Sequence, residues 1–418
     1  MTQDQREFDI VLYGATGFVG KLTAEYLARA GGAVRIALAG RSQDKLRAVQ
    51  QTLGESARSW QLITADASQP DTLKAMAERT RVVVSTVGPY NRYGVPLVAA
   101  CAEAGTDYAD LTGEPMFMRK CIDLYHKQAV DTGARIVHAC GFDSVPSDLS
   151  VYALHRRVTD DGEGELTDTT FVVRKMVGGL SGGTIASMTD VLRAMANDPE
   201  VRRLLEDPYT LTPDRAAEPE LDPQPDMPWR RGSQIAPELD GIWTAGFMMA
   251  PVNTRVVRRS NALQDFAYGR RFRYSECQSV GSSPVAPVAS AAFAGVGALV
   301  TKVGTRYLNK VPERYIEKIL PKPGSGPSER TRERGHYTVE TYTRTTTGAR
   351  YRARMSQQGD PGYKATSVLL GECALALALD RDRLSDLRGV LTPAAAMGDA
   401  LLARFPAAGV SLDVTRLN

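Results

Sequence analysis

The sequence predicts an α/β protein: an N-terminal Rossmann-type doubly wound parallel sheet, a second α+β domain, and C-terminal helices that return to the Rossmann domain. Three observations carry this reading. Residues 8–20 read FDIVLYGATGFVG, an apolar run that ends in glycines spaced G-x-x-G-x-x-G. Five more short apolar runs, separated by helical patterns, follow before residue 140, and strands alternating with helices make a parallel sheet. The composition then changes, with alternating β-type runs and a proline-rich acidic stretch over 207–239. The expected boundaries are 1–148 for the Rossmann domain, 149–362 for an α+β substrate and dimerisation domain, and 363–418 for the returning helices.

Phe8 to Tyr13 is continuously apolar, which suits a strand buried on both faces. Gly14 permits the tight turn out of it. Gly17 lets the backbone come close to a pyrophosphate, and Gly20 lets the following helix, 21–29, pack on the strand. The helix N-terminus offers free amides to the phosphates, so Ala15, Thr16, Phe18 and Val19 belong to the same cradle. The plainer alternative is a glycine turn that holds no nucleotide.

The second strand, 34–39, ends in Gly40-Arg41-Ser42. An acidic residue here would accept hydrogen bonds from the ribose hydroxyls of NAD. A guanidinium instead pairs bidentately with a phosphate, so Arg41, with Ser42 beside it, favours the 2′-phosphate of NADP. The third strand, 60–65, leads to Asp66-Ala67-Ser68, placed either beside the adenine or as a cap for the helix 72–80. The fourth, 81–86, ends in Val87-Gly88-Pro89-Tyr90. That turn falls near the topological switch point, where ligands collect, and Gly88 there leaves room for the nicotinamide ribose. Tyr90 and Tyr93 flank the rim, as proton donors or as packing. Asp110 and Glu114 end the fifth strand, 106–110, where they either orient a substrate or, for Glu114 in the favoured reading, cap the helix 116–132. The sixth strand, 135–139, runs into Cys140-Gly-Phe-Asp143-Ser144, a loop expected at the cleft between the domains.

In the second domain a helix is expected over 149–158 and a strand over 167–173. A glycine-rich loop spans 178–184 and a helix 185–196. Residues 242–250 carry Trp243, Phe247, Met248 and Met249, either core or the lining of an apolar pocket. The arginines of 255–274, with Lys302, Lys310, Lys318 and Lys322, form a basic region suited to an anionic carrier. The apolar run 284–300 is short for a membrane span and reads as a buried or interfacial helix. A hairpin is expected over 337–356, turning at Thr347-Gly348, and helices over 363–379 and 394–404.

The formal net charge of +3 over 418 residues gives no case for nucleic acid. The five cysteines lack paired spacing and the four histidines lack ligand spacing, so neither a disulfide framework nor a metal site is expected. The N-terminus is no signal peptide, and a cytoplasmic protein, with membrane contact only through 284–300, is the expectation.

FDIVLYGATGFVG, IALAGRS, STVGPYNRYG, GTDYADLTGE and ACGFDSVPSDL together resemble the saccharopine dehydrogenase-like oxidoreductases, and most of all the mycobacterial trans-acting enoyl reductases. The resemblance extends more loosely through YTVETYT and GVLTPAAAMGDALLARF. It implies an NADP(H)-dependent enoyl reductase that acts with a polyketide synthase on a lipid chain tethered to an acyl carrier protein, in phthiocerol and phenolphthiocerol lipid synthesis. It also leaves room for a homodimer. Hydride would pass to the β-carbon of an enoyl thioester and a proton to the α-carbon, with the donor open among Tyr90, Tyr93, Asp110, Asp143 and Ser144. Two alternatives stand beside it: an amine or imine dehydrogenase acting on a small polar substrate, and a non-catalytic nucleotide-binding protein associated with lipid.

Overall fold

The computed structural model describes residues 5–178, 191, 193–287, 290 and 326–418. Most of the glycine-rich loop and of the helix expected over 185–196, most of the apolar run 284–300, and Lys302, Lys310, Lys318 and Lys322 lie outside them.

Strands β1 (Phe8–Tyr13), β2 (Ile36–Gly40), β3 (Gln61–Thr64), β4 (Thr80–Ser85), β5 (Asp107–Asp110) and β6 (Arg135–Val137) come first. They alternate with α1 (Phe18–Ala30), α2 (Gln43–Thr52), α3 (Pro70–Glu78), the pair α4 (Tyr90–Tyr93) and α5 (Val95–Ala104), and α6 (Pro115–Thr132). Then follow α7 (Val145–Asp160), β7 (Leu166–Val177), α8 (Pro199–Glu206), β8 (Trp243–Gly246), α9 (Ala250–Leu263) and β9 (Arg273–Gly281). The chain ends with α10 (Glu329–Arg334), β10 (His336–Thr345), β11 (Arg350–Gln358), α11 (Thr366–Leu379), β12 (Gly389–Leu391), α12 (Pro393–Arg404) and β13 (Val410–Arg416).

The first sheet has the order β12-β6-β5-β4-β1-β2-β3, and every pair in it is parallel. The chain steps from β1 out to β3 and then crosses to β4 on the other side of β1, so the switch point lies between β1 and β4. All six residues of β1 are buried. Ile10 and Leu12 face α1 and α11, whereas Val11 and Tyr13 face α3, α5 and α6. Helices on both faces are why the run is continuously apolar.

Six strands are legible in the sequence, and the structure adds a seventh. β12 has three residues and pairs with Arg135–Val137. Such a short segment shows no periodicity, and no strand is expected there from the sequence.

The second sheet has the order β13-β11-β10-β7-β9-β8, with only β7 and β9 parallel. Its hairpin β10–β11 turns at Gly348, whose φ of 92° suits glycine. Residues 363–418 serve both sheets: α11 covers the first, β12 joins it, and β13 pairs with β11 in the second.

α11 is apolar on all sides and buried along nearly its whole length. The stretch Pro361–Leu379 is long and apolar enough to cross a membrane, but 83% of it is buried inside the fold, as befits a core helix. Its one carboxylate, Glu372, receives hydrogen bonds from the Tyr26 hydroxyl and from Arg404. α1 crosses it at Gly371, where a Cβ would collide with the Tyr26 ring.

The basic region expected over 255–274 is corrected in its α9 part, while Arg270 and Arg271 are exposed. Arg255, Arg258 and Arg259 lie on α9 and are buried. Arg255 and Arg258 pair with Asp226 and donate to the carbonyls of Leu205 and Tyr274 at 3.0 Å, while Arg259 donates to the carbonyls of Leu211 and Val390. They tie α8, β9, β12 and the segment at Leu211 to α9, and present no charge to a carrier. Sequence alone cannot tell such a snorkelled or bonded arginine from an exposed one.

A polar knot joins the two sheets. Asn253 of α9 donates to Glu276 of β9 at 2.9 Å and to Ser147 of α7 at 3.2 Å. Tyr274 donates to Glu276 at 2.8 Å, and the Ala394 amide donates to Asp148 at 2.8 Å. Burial pushes the carboxyls of Glu276 and Asp148 up to about 7 each. A folded-state value above the unfolded one means that the native protein holds more protons between roughly pH 4 and 7. These two groups therefore contribute stability that is full below about pH 4 and is lost as the pH rises through about 7. Denaturant titrations at pH 5 and pH 8 should show this loss in the wild type and a smaller one in Glu276→Gln, which keeps a neutral group at both pH values. Equal losses in the two proteins would remove Glu276 as a source.

Candidate functional site

The site is built at the carboxyl ends of β1, β2 and β4. Gly14 leaves β1 with φ 88°, and a Cβ there would sit 2.7 Å from both Thr86 and Val87 of the neighbouring turn. The Thr86 amide donates to the Tyr13 carbonyl at 3.0 Å and its hydroxyl to the Gly14 carbonyl at 3.1 Å. The turn after β4 is thus tied to the turn after β1. The Gly17 amide donates back to the Gly14 carbonyl at 2.9 Å. A Cβ on Gly20 would overlap that carbonyl, so only glycine lets α1 start so close to β1. Gly17 caps α1 and is exposed, as is Gly88 across the mouth. Ala15 is buried beneath the turn, and Thr16, Phe18 and Val19 are half-buried around it. A bare backbone, a helix N-terminus and two exposed glycines form a cradle for a dinucleotide pyrophosphate.

Phe18 is also clasped from the far part of the chain. Its ring meets Tyr363 edge-on at 4.9 Å, and the Arg332 guanidinium lies 5.3 Å from its centre. Gly326 approaches so closely that a Cβ would overlap the same ring. No local sequence signal marks this clasp, because its partners are some 300 residues apart in the chain.

Arg41 stands exposed at the end of β2. Ser42 beside it caps α2, its hydroxyl accepting from the Lys45 amide at 3.4 Å. The Asp66 carboxylate accepts from the amide and the hydroxyl of Ser68, both at 2.9 Å. Those bonds, and to a lesser degree the charge of Arg41, hold it below the usual carboxylate range. Asp66 thus closes the turn over Ala67, and its charge faces Arg41 across the end of the sheet.

The peptide between Gly88 and Pro89 is cis. Tyr90 follows it and is buried. Its hydroxyl donates to the Ser85 carbonyl at 3.0 Å, and burial pushes it well above the usual tyrosine range. Glu114 is corrected: its carboxylate does not cap the helix that follows it but accepts from the amides of Tyr90 and Asn91 at 3.0 and 2.8 Å, at the start of α4.

The five residues singled out for proton chemistry do not converge on one open point. Tyr90 spends its proton on a main-chain carbonyl. Asp110 is fully buried and accepts from Tyr108 at 3.0 Å and from the amides of Thr112 and Ala139 at 3.1 and 3.2 Å, with His138 Nδ1 at 2.8 Å. Ser144 is fully buried and donates to Asn253 at 2.9 Å. The hydrogen bonds of Asp110 and Ser144 are thus all made within the fold. Asp143 is half-buried in the loop after β6, and Tyr93 is 44% exposed at the end of α4. Beyond β5, Gly113 touches the second domain: a Cβ on it would lie 3.4 Å from Met249 Cε. Met248, next to it, is 43% exposed. Among the described residues no group of histidine, cysteine and carboxylate side chains could hold a metal ion.

The saccharopine dehydrogenase NADP binding domain family matches residues 10–137, the span that contains this cradle, and NADP(H) is accordingly the cofactor. A protein of Mycobacterium tuberculosis named as a candidate trans-acting enoyl reductase is 72% identical over 417 residues, covering 100% of both chains. The trans-acting enoyl reductase of Mycobacterium bovis BCG is 63% identical over 419 residues, again across 100% of both chains. Among solved structures, saccharopine dehydrogenase (L-Glu forming) of Saccharomyces cerevisiae superposes with a TM-score of 0.55 over 98% of this chain and 99% of its own. At 14% identity that likeness establishes the fold alone.

The exposed guanidinium of Arg41 gives a test of cofactor choice. Arg41→Ala should weaken NADPH by about 1–3 kcal/mol, the worth of a charge-assisted hydrogen bond, and NADH far less. Fluorescence titration with each cofactor checks this. An equal loss for both would mean that Arg41 does not reach the 2′-phosphate.

Proposed function

The chain belongs to the trans-acting enoyl reductases, and from this membership we propose that it reduces the carbon–carbon double bond of an enoyl thioester with NADPH. The substrate in this reading is a polyketide chain held on an acyl carrier protein of a polyketide synthase, and the product a cell-envelope lipid precursor of the phthiocerol type. The observation that carries the reading is the make-up of the cleft. The dinucleotide cradle lies at the carboxyl end of the first sheet, where the segment after β5 meets the second domain: a Cβ on Gly113 would lie 3.4 Å from Met249 Cε, and Met248 beside it is 43% exposed. An amine or imine dehydrogenase needs free cations to hold the carboxylates of an amino-acid adduct. The arginines of α9 nearest this corner are engaged with Asp226 and with main-chain carbonyls.

In this reading the amides at the N-terminus of α1 hold the pyrophosphate, and Arg41 holds the 2′-phosphate. Exposed Gly88 leaves room for the nicotinamide ribose, while Val87 and Pro89 shape that wall. The bound cofactor supplies a hydride for the β-carbon. The resulting enolate oxygen needs a hydrogen-bond donor, and the α-carbon needs a proton. We assign those two tasks to Tyr93, exposed at the rim, and Asp143, half-buried in the loop that follows β6.

Purified protein supplied with NADPH and enoyl-carrier substrates should consume the reduced nicotinamide, followed by its absorbance. Amine and 2-oxo acid pairs should leave it unchanged, and the opposite pattern would overturn the reading. Tyr93→Phe or Asp143→Asn should lower kcat by about 10²-fold or more, the usual worth of a positioned proton donor, with NADPH affinity retained. Wild-type kcat in both variants would exclude both residues.

A further inference from the structure

The second sheet has a face that turns away from α7. Side chains alternate along its strands, so Phe171, Val173, Tyr337, Val339 and Met355 enter the shared core, while Thr170, Tyr342, Arg344 and Arg350 belong to the opposite face. On that opposite face a cavity of about 330 Å³ opens between the sheet and the segment 230–236. This is within the size range of small-molecule sites, roughly 300–1,000 Å³.

Its walls are built for an anion. Arg230, Arg344 and Arg350 line it, against a single lining carboxylate, Asp168. Arg350 is compensated by Glu238, 3.2 Å away. Arg230 and Arg344 make no ion pair among the described residues, and Asp168 pairs with neither. Arg344 and Arg350 stand directly opposite each other across the hairpin. Like charges in that register cost stability. An anion between them would reverse the sign of that interaction, and planar guanidinium forks suit the oxygens of a phosphate. The remaining lining includes Ile235, Ala236 and Leu417, which offer an apolar surface to the rest of a ligand.

We propose that this cavity is a second ligand site, separate from the cofactor cradle, that binds a phosphate-bearing small molecule with an apolar portion. The site stands independently of the enoyl reductase reading. Such a ligand is a phosphate monoester free in solution, because the phosphate that links a carrier's prosthetic arm to its serine is a diester and carries one charge rather than two.

The test uses the full chain saturated with NADPH, so that the cradle is filled. Inorganic phosphate and pantetheine 4′-phosphate are titrated separately by calorimetry. Saturable one-to-one binding is expected. Arg344→Ala and Arg230→Ala should each weaken it at least about tenfold, because each removes a charged donor to the phosphate. Arg344 is exposed, and its variant should keep the wild-type melting temperature and NADPH affinity. Tighter binding of pantetheine 4′-phosphate than of inorganic phosphate supports the apolar portion, and equal affinity for the two probes overturns it. No saturable binding of either probe, or unchanged affinity in both variants, overturns the proposal.

Discussion

A parallel sheet has to be covered on both faces, and in this protein that need ties the end of the chain to its beginning. α11 lies against β1, β4 and β5 and fills the face that α1 leaves open. It is apolar all round because neighbours surround it. It comes within backbone distance of α1 because Gly371 has no side chain to hold the helices apart. Its single carboxylate is tolerated because Tyr26 and Arg404 both bond to it. Loss of one partner would leave a buried charge uncompensated, a cost of several kcal/mol by the usual magnitudes. The cofactor cradle rests on this packing, since Phe142 of the cleft loop donates its amide to Thr366, the first residue of α11, at 3.0 Å.

The cradle itself is a set of mutual exclusions. Gly14, Gly20, Thr86 and Val87 occupy space that a single added methyl would claim. The turn after β4 is bonded to the turn after β1, so the two rims that flank a dinucleotide move as one piece. Glu114 extends the same logic by fixing the first amides of α4 from the end of β5. Preorganisation of this kind costs nothing further when the cofactor arrives, which is how a rigid rim favours one bound geometry.

Charge is used differently in the two halves. In the first, Arg41 is exposed at the edge of the cradle, and Asp66, half-buried and bonded to Ser68, faces it. In the second, the arginines of α9 are buried and donate to main-chain carbonyls of α8, β9 and β12, while those on the outer face of the hairpin stay near solvent. The same residue type therefore serves as main-chain anchor and as surface charge within one domain.

The Rossmann half was legible because its signals are local. The apolar run, the glycine spacing and the arginine after β2 each specify backbone geometry or chemistry within a few residues, and NADP follows from them. The hairpin β10–β11 was legible for the same reason. Alternation and a Thr-Gly turn suffice for it. The seventh strand, the clasp on Phe18, the capping of α4 by Glu114 and the internal engagement of Tyr90, Asp110 and Ser144 were not legible. Except for Tyr90, whose acceptor Ser85 is five residues back, each depends on a partner between about 20 and 350 residues away, and no local pattern encodes the distance between such groups. Whether an arginine is buried or exposed, and whether a hydroxyl is free or already bonded, is settled only when distant segments pack, because burial and hydrogen-bond satisfaction are properties of the assembled interior.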